Sequence, residues 1–195
     1  MAKKEKRSRW LFISILLITI LLFTIIITRE QFVKEEGLLY NKPYQPGIEV
    51  PYKSLNLYFS DIKSEYLVKE NRKVVGYGEE LDEKVEILVR ELIVGPKTEL
   101  VPTIPSNTRI RGVKVKDGTA YIDFTSEFVK NHPGGSNAEI FTIYSIVDSL
   151  ILNFPEIKRV QILTNGRAIE TIAGHINLSK PITLNTQYIK GNGTL

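Results

Sequence analysis

Residues Gly135 to Pro155 read GSNAEIFTIYSIVDSLILNFP, and this stretch decides the fold. Its apolar residues Ile140, Ile143, Tyr144, Val147, Leu150, Ile151 and Phe154 fall at steps of three and four, the spacing of one buried face of an α-helix. Ser136 followed three residues later by Glu139 predicts a capping box at the start, and Pro155 closes the helix. A helix this apolar needs a sheet to lie on, and segments with a period of two stand on both sides of it.

Upstream, Leu55, Leu57 and Phe59 alternate with Ser54, Asn56, Tyr58 and Ser60, as in a half-buried strand. Tyr66 to Val75 is a second extended segment whose Lys69, Glu70, Asn71, Arg72 and Lys73 suit an edge strand. A helix follows from about Glu80 to Val94, with Leu81, Val85, Leu88, Val89 and Leu92 on one stripe. Acidic residues sit at its positive N-terminal end, and Gly95-Pro96 stops it. Pro96, Pro102 and Pro105 make GPKTELVPTIPSN a stiff irregular connection. The segment from Thr108 to Phe124 is a hairpin turning at Asp117-Gly118, a pair that favours a type I′ turn. Ala120, Ile122 and Phe124 point one way, Tyr121 and Asp123 the other, and Gly112 breaks the phase as a bulge does.

Downstream, Lys158 to Thr164 is a strand with Val160 and Ile162 inward, ending in an Asn165-Gly166 turn. Ala168 to Leu178 is short extended or turn structure, and the tail from Ser179 is expected to fray. The predicted architecture is α+β: a two-layer domain with a largely antiparallel sheet and two helices on one face, behind an N-terminal transmembrane helix.

The transmembrane assignment rests on Trp10 to Thr28, 19 residues without a charge. As a helix they span about 28 Å, close to the roughly 30 Å of a bilayer core. Five basic residues precede the run and no small-residue cleavage pattern follows it. It therefore reads as a retained signal anchor, with the N-terminus cytoplasmic and the rest extracytoplasmic. The organisation expected is a basic tip at 1–9, the anchor at 10–28, a proline-broken stalk at 29–52, the domain at 53–181 and a tail at 182–195. The formal net charge of +4 belongs to the tip, because residues 10–195 hold 21 basic and 21 acidic side chains. That distribution argues against nucleic acid as a partner. The absence of cysteine excludes disulfides, thiol nucleophiles and zinc-thiolate sites.

Several phrases coincide with one family. GPKTELVPTIPSNT, DGTAYIDFTSEF, GGSNAEIFTIYSIVDSLILNFPEIKRVQILTNG and ETIAGHINLSKP resemble successive blocks of the GerMN domain family of GerM-like sporulation and germination proteins, over about Leu55 to Pro181. The resemblance implies an extracytoplasmic, membrane-attached, non-enzymatic scaffold or assembly module. Its expected partners are envelope or sporulation proteins and copies of itself. This chain departs from the tandem, lipid-anchored arrangement of the sporulation member that typifies the family in having one copy, no cysteine and an apparent transmembrane anchor, and single-copy proteins of this type occur in varied envelope settings.

The glycine-rich run His132-Pro133-Gly134-Gly135-Ser136-Asn137 precedes a helix, yet no Walker lysine follows it, so it reads as a tight turn and cap rather than a phosphate cradle. Asp123, Glu127 and Glu170 are the carboxylates a wall hydrolase would have to use; Glu139 is assigned to the capping box. His132 and His175 stand 43 positions apart without neighbouring ligands, and His175 is expected to hydrogen-bond in the core or at a turn. No catalytic, cofactor or metal site is predicted. The candidate interaction surface is a mixed stripe on the central helix, Phe141, Ser145, Asp148 and Leu152, together with Arg109, Arg111 and Tyr121 on the outer face of the hairpin. The leading reading is a membrane-anchored interaction module; the alternative is a module binding cell-wall glycan or peptide, with hydrolysis less favoured.

Overall fold

The computed structural model describes residues 52–191. The transmembrane run at 10–28, the basic tip, nearly all of the stalk and the last four residues lie outside the described residues. Among the described residues no helix is long and apolar enough to cross a membrane.

The chain runs β1 (Tyr52–Ser60), β2 (Leu67–Val75), α1 (Leu81–Val94), β3 (Ile110–Lys116), β4 (Thr119–Phe124), a single turn α2 (Glu127–Lys130), α3 (Ser136–Asn153), β5 (Arg159–Thr164), a two-residue β6 (Arg167–Ala168) and a 3₁₀ turn at Thr186–Tyr188. The turn and phase expectations hold. Asp117 and Gly118 have φ of 50° and 70°, Asn165 and Gly166 of 51° and 78°, the positive values a type I′ turn needs. The β3–β4 register shifts between Ile110 and Gly112, where the bulge is expected. Leu55, Leu57, Phe59, Ala120, Ile122, Phe124, Val160 and Ile162 all lie in one core with Val85, Leu88, Val89 and Leu92 of α1 and Ile143, Ile146, Val147 and Leu150 of α3.

The single, largely antiparallel sheet is corrected to two sheets. β1 and β2 pair antiparallel as a ribbon; β3-β4-β5-β6 form the second sheet, in which β4 and β5 run parallel. The parallel pair follows from connectivity, since α3 crosses over between those strands and returns the chain to the same end. β1 cannot join the second sheet because α3 occupies its outer edge. Asn56 N–H donates to Asn153 Oδ1 at 3.0 Å, and Asn153 Nδ2 returns a bond to Asn56 O at 2.7 Å. Tyr58 N–H donates to Ser149 Oγ at 3.0 Å, and Ser145 Oγ donates to Tyr58 O at 2.6 Å. A row of short polar side chains on a helix thus takes the place of a neighbouring strand, satisfying backbone groups that burial would otherwise orphan.

β2 is an edge strand, as its residues suggest, with Lys69, Asn71 and Lys73 exposed, but two of its charged residues do not face solvent. Glu70 and Arg72 point inward and are buried as an ion pair. Arg72 also donates to Glu91 Oε2 and O at 3.0 Å each and to Gly95 O at 2.9 Å, fastening the end of α1. Glu70 Oε2 accepts the N–H groups of Lys97 and Thr98 and the Thr98 hydroxyl. Burial alone would raise the Glu70 carboxyl; the Thr98 hydroxyl, Arg72 and the Lys97 N–H outweigh it and lower it. The tail is not frayed up to Gly191. Ile182 pairs with Val160 and Ile189 with Leu67, and Ile189 is buried with Tyr58, Leu67 and Phe141 in a second, smaller apolar cluster.

Candidate functional site

The start of α3 is built differently from the predicted capping box. Gly135, at φ 85°, is the residue before the helix, and no side chain caps it. Glu139 turns away from Ser136 and is fully buried under the loop that follows β6. Its Oε1 accepts the Thr171 hydroxyl at 2.5 Å and the N–H groups of Ile172 and Ala173 at 2.8 and 3.0 Å. Its Oε2 accepts the His175 N–H at 2.8 Å and ring Nδ1–H at 3.1 Å. Burial would raise this carboxyl, but the Thr171 hydroxyl and the three N–H groups hold it down at about 2. The loop is therefore folded around an internal anion. ETIAGH carries the local signal, a Gly174 at φ 94° in the turn that brings the N–H groups of Ile172, Ala173 and His175 together; nothing local says which anion they meet.

His132 is wired into the same end of the helix. Gly134 N–H donates to its Nδ1 at 3.0 Å, so the ring carries its proton on Nε2, which lies 3.2 Å from Thr142 Oγ1. The Thr142 hydroxyl donates onward to Thr103 O at 2.6 Å. Burial lowers the pKa of His132, in keeping with a neutral ring. This chain ties the proline loop to α3, and between them opens a cleft of about 660 Å³. Ser64, Thr103, Ser106, Asn131, Ser136 and Asn137 supply its polar lining, Pro102, Pro105 and Phe141 its apolar walls, and among the described residues none that lines it is charged.

The predicted stripe on α3 is not an open surface. Phe141, Ser145 and Asp148 are buried; only Leu152, 39% exposed, faces solvent. Ser145 belongs to the row that caps β1 and also accepts the Thr103 hydroxyl at 2.6 Å. Phe141 packs edge-on to Tyr188. Asp148 accepts the Asn185 N–H at 3.1 Å, and its Oδ2 has no partner among the described residues. The backbone of β1 and the returning tail have claimed this side of the helix.

On the hairpin, Arg109 is exposed and Tyr121 is 37% exposed. Arg111 lies 3.6 Å from Asp123 Oδ2, and Lys114 reaches Asp82 at 2.7 Å. Two cations of this face, Arg111 and Lys114, are answered by the domain's own acids. The three carboxylates a hydrolase would use stand apart in their roles. Asp123 Oδ1 accepts Gly166 N–H at 2.8 Å, Glu127 takes the Ser126 hydroxyl at 3.1 Å, and Glu170 is exposed. None lines the 660 Å³ cleft or the second cleft, of about 700 Å³, beside the β1–β2 turn. Among the described residues no three His, Asp or Glu side chains gather as a metal site.

The domain resembles two solved structures from Bacillus subtilis. The first GerMN domain of the sporulation protein GerM is 21% identical, with a TM-score of 0.52 over 69% of this chain and 98% of that one. The tandem GerMN domains of the same protein are 20% identical, with a TM-score of 0.53 over 70% of this chain, which spans 47% of the tandem. These likenesses establish the shared fold. No curated protein matches the chain. Residues 56–170, more than half of the sequence, match the Germane family model, described as sporulation and spore germination, and the chain belongs to that family.

Proposed function

We propose that this protein is a membrane-tethered, extracytoplasmic interaction module that helps assemble protein complexes of the bacterial envelope during sporulation or germination. The observation that carries the reading is where the buried charge goes. Glu139, Glu70 and Arg72 each bind backbone of the domain itself, as a rigid scaffold requires, instead of converging on a cleft. The family membership supports the sporulation setting, and the apolar run at 10–28 supports the tether. Cross-linking in intact cells followed by purification of the full chain from membranes tests it. Recovery of envelope or sporulation proteins is expected. A chain released from membranes by alkaline carbonate, or one that cross-links to no envelope protein, would refute it.

A second reading has one observation in its favour, the uncharged cleft at the start of α3. Hydroxyl and amide side chains between proline and phenylalanine walls suit a neutral glycan or peptide. Co-sedimentation with purified peptidoglycan at low salt decides it: no retention removes this reading.

A further inference from the structure

We propose that the free edge of β2, from Lys69 to Val75, is a docking strand for an extended segment of a partner protein with acidic residues at alternate positions. This rests on the interaction-module reading and says where the partner sits and what it presents.

The direction of the backbone follows from two hydrogen bonds. Asp61 N–H donates to Tyr66 O at 2.9 Å, and the β1–β2 register continues from there as Ser60 with Leu67 and Phe59 with Val68. Bonded and non-bonded pairs alternate in an antiparallel ribbon, so Val68, Glu70, Arg72 and Val74 direct their backbone groups to β1. Leu67, Lys69, Asn71, Lys73 and Val75 direct theirs away. Lys190 N–H, donating to Leu67 O at 2.8 Å from that outer side, is in the same phase.

Among the described residues the outer edge of β1 is covered from Asn56 to Ser60, and the second sheet is met at Val115 and Val160. β1 is capped by Ser145, Ser149 and Asn153, and Val101 N–H takes Ser60 O. Asp82 takes the Val115 N–H at the edge of β3, and β6 and Ile182 flank β5. On β2 only the first rung is used, where Ile189 pairs with Leu67. Among the described residues the outward backbone groups of Lys69, Asn71, Lys73 and Val75 meet no protein partner. An unpaired edge is a template for strand addition, and a two-stranded ribbon gains most from a third strand.

The side chains beside this edge choose the partner. Lys69, Asn71, Lys73 and Val75 are exposed on the outer face, and β2 shows no exposed carboxylate because Glu70 is buried. Lys73 is held over the Tyr52 ring, 4.4 Å from its centroid. From the opposite face Glu70 and Arg72 fix the strand to α1 and the 95–98 loop, so it is ordered before anything binds. An added strand with Glu or Asp abreast of Lys69 and Lys73 gains cross-strand pairs; a basic strand is repelled.

The test uses the full chain in detergent micelles and two blocked octapeptides, one alternating Glu and Thr, the other Lys and Thr. The acidic peptide is expected to bind by fluorescence anisotropy and to slow exchange of the Lys69, Asn71, Lys73 and Val75 amides at least tenfold; the basic peptide does neither. Asn71→Pro removes an outward N–H and the Asn71–Asn56 side-chain bond but no backbone rung of the β1–β2 ladder, and should abolish binding. Lys69→Glu with Lys73→Glu, a surface change that leaves the core intact, should reverse the peptide preference. The proposal fails if those four amides are already protected in the monomeric chain, or if binding survives both changes. It fails also if the chain forms dimers that Asn71→Pro dissolves, since the occupant is then a second copy. Peptide docking without envelope partners in cells would keep this site and remove only the assembly role.

Discussion

Replacing Asp148 with Asn should make this domain more stable at neutral pH, against the rule that core substitutions destabilise. Asp148 is fully buried in α3, accepts one N–H from Asn185 and leaves Oδ2 without a partner among the described residues. Burial pushes its carboxyl up to about 7 from an ordinary 3.8, with the Asn185 N–H pulling only partly back. A carboxyl raised in the folded state binds its proton more tightly there than in the unfolded chain. Its cost to stability is therefore absent below about pH 4, grows as pH rises to about 7, and is constant above. Roughly three pH units at about 1.4 kcal/mol each give about 4 kcal/mol. Asparagine keeps the acceptor for Asn185 and cannot ionise, but its amide donors meet the same unpartnered space, a pH-independent cost of about 1–3 kcal/mol. The variant should thus be about 1–3 kcal/mol more stable than the parent at pH 8, and less stable at pH 4. Urea unfolding followed by circular dichroism at intervals from pH 4 to 8 measures both proteins. Groups other than residue 148 cancel in the difference. Parallel stability curves for the two proteins would refute the reasoning, because they would mean that Asp148 is ionised at no cost.

Glu139→Gln tests the internal anion. A carboxyl lowered to about 2 gives stability that is complete above about pH 4.5 and lost as pH falls towards 2. The variant should lose about 3 kcal/mol at pH 7, show faster amide exchange at Ile172, Ala173 and His175, and converge on the parent near pH 2. Arg72→Ala leaves Glu70 buried without its cation and the carbonyls of Glu91 and Gly95 without their donor; thermal and urea unfolding should show a loss of about 3–5 kcal/mol. Ser149→Ala strips the acceptor from the buried Tyr58 N–H and should cost about 1–3 kcal/mol in the same assays, an unusual penalty for so small a change in volume.

Much of the local structure was legible in the residue order. The two helical stripes, the inward residues of β1, β4 and β5, the Asp117-Gly118 and Asn165-Gly166 turns and the Gly112 bulge all depend on neighbours within a few positions. The candidate surface was not legible. A stripe of Phe141, Ser145, Asp148 and Leu152 reads as mixed and partly exposed until Tyr58, Thr103 and Asn185 arrive to claim its polar atoms. The capping box failed for the same reason. Ser136 and Glu139 have the right spacing, but the five donors from Thr171 to His175 outbid one N–H at the helix start.

Sequence alone determined the two long helices, the strands β1 to β5, where they turn, and which family the chain resembles, because periodicity and turn chemistry act over short distances; the short turns at Glu127–Lys130 and Thr186–Tyr188 escaped it. Tertiary structure alone decided that there are two sheets, that Glu139 is a keystone, and that β2 keeps an open edge among the described residues. Those outcomes turn on which buried donor meets which acceptor. The partners lie as far apart in the chain as Asn56 and Asn153, 97 residues, and no local pattern carries that pairing.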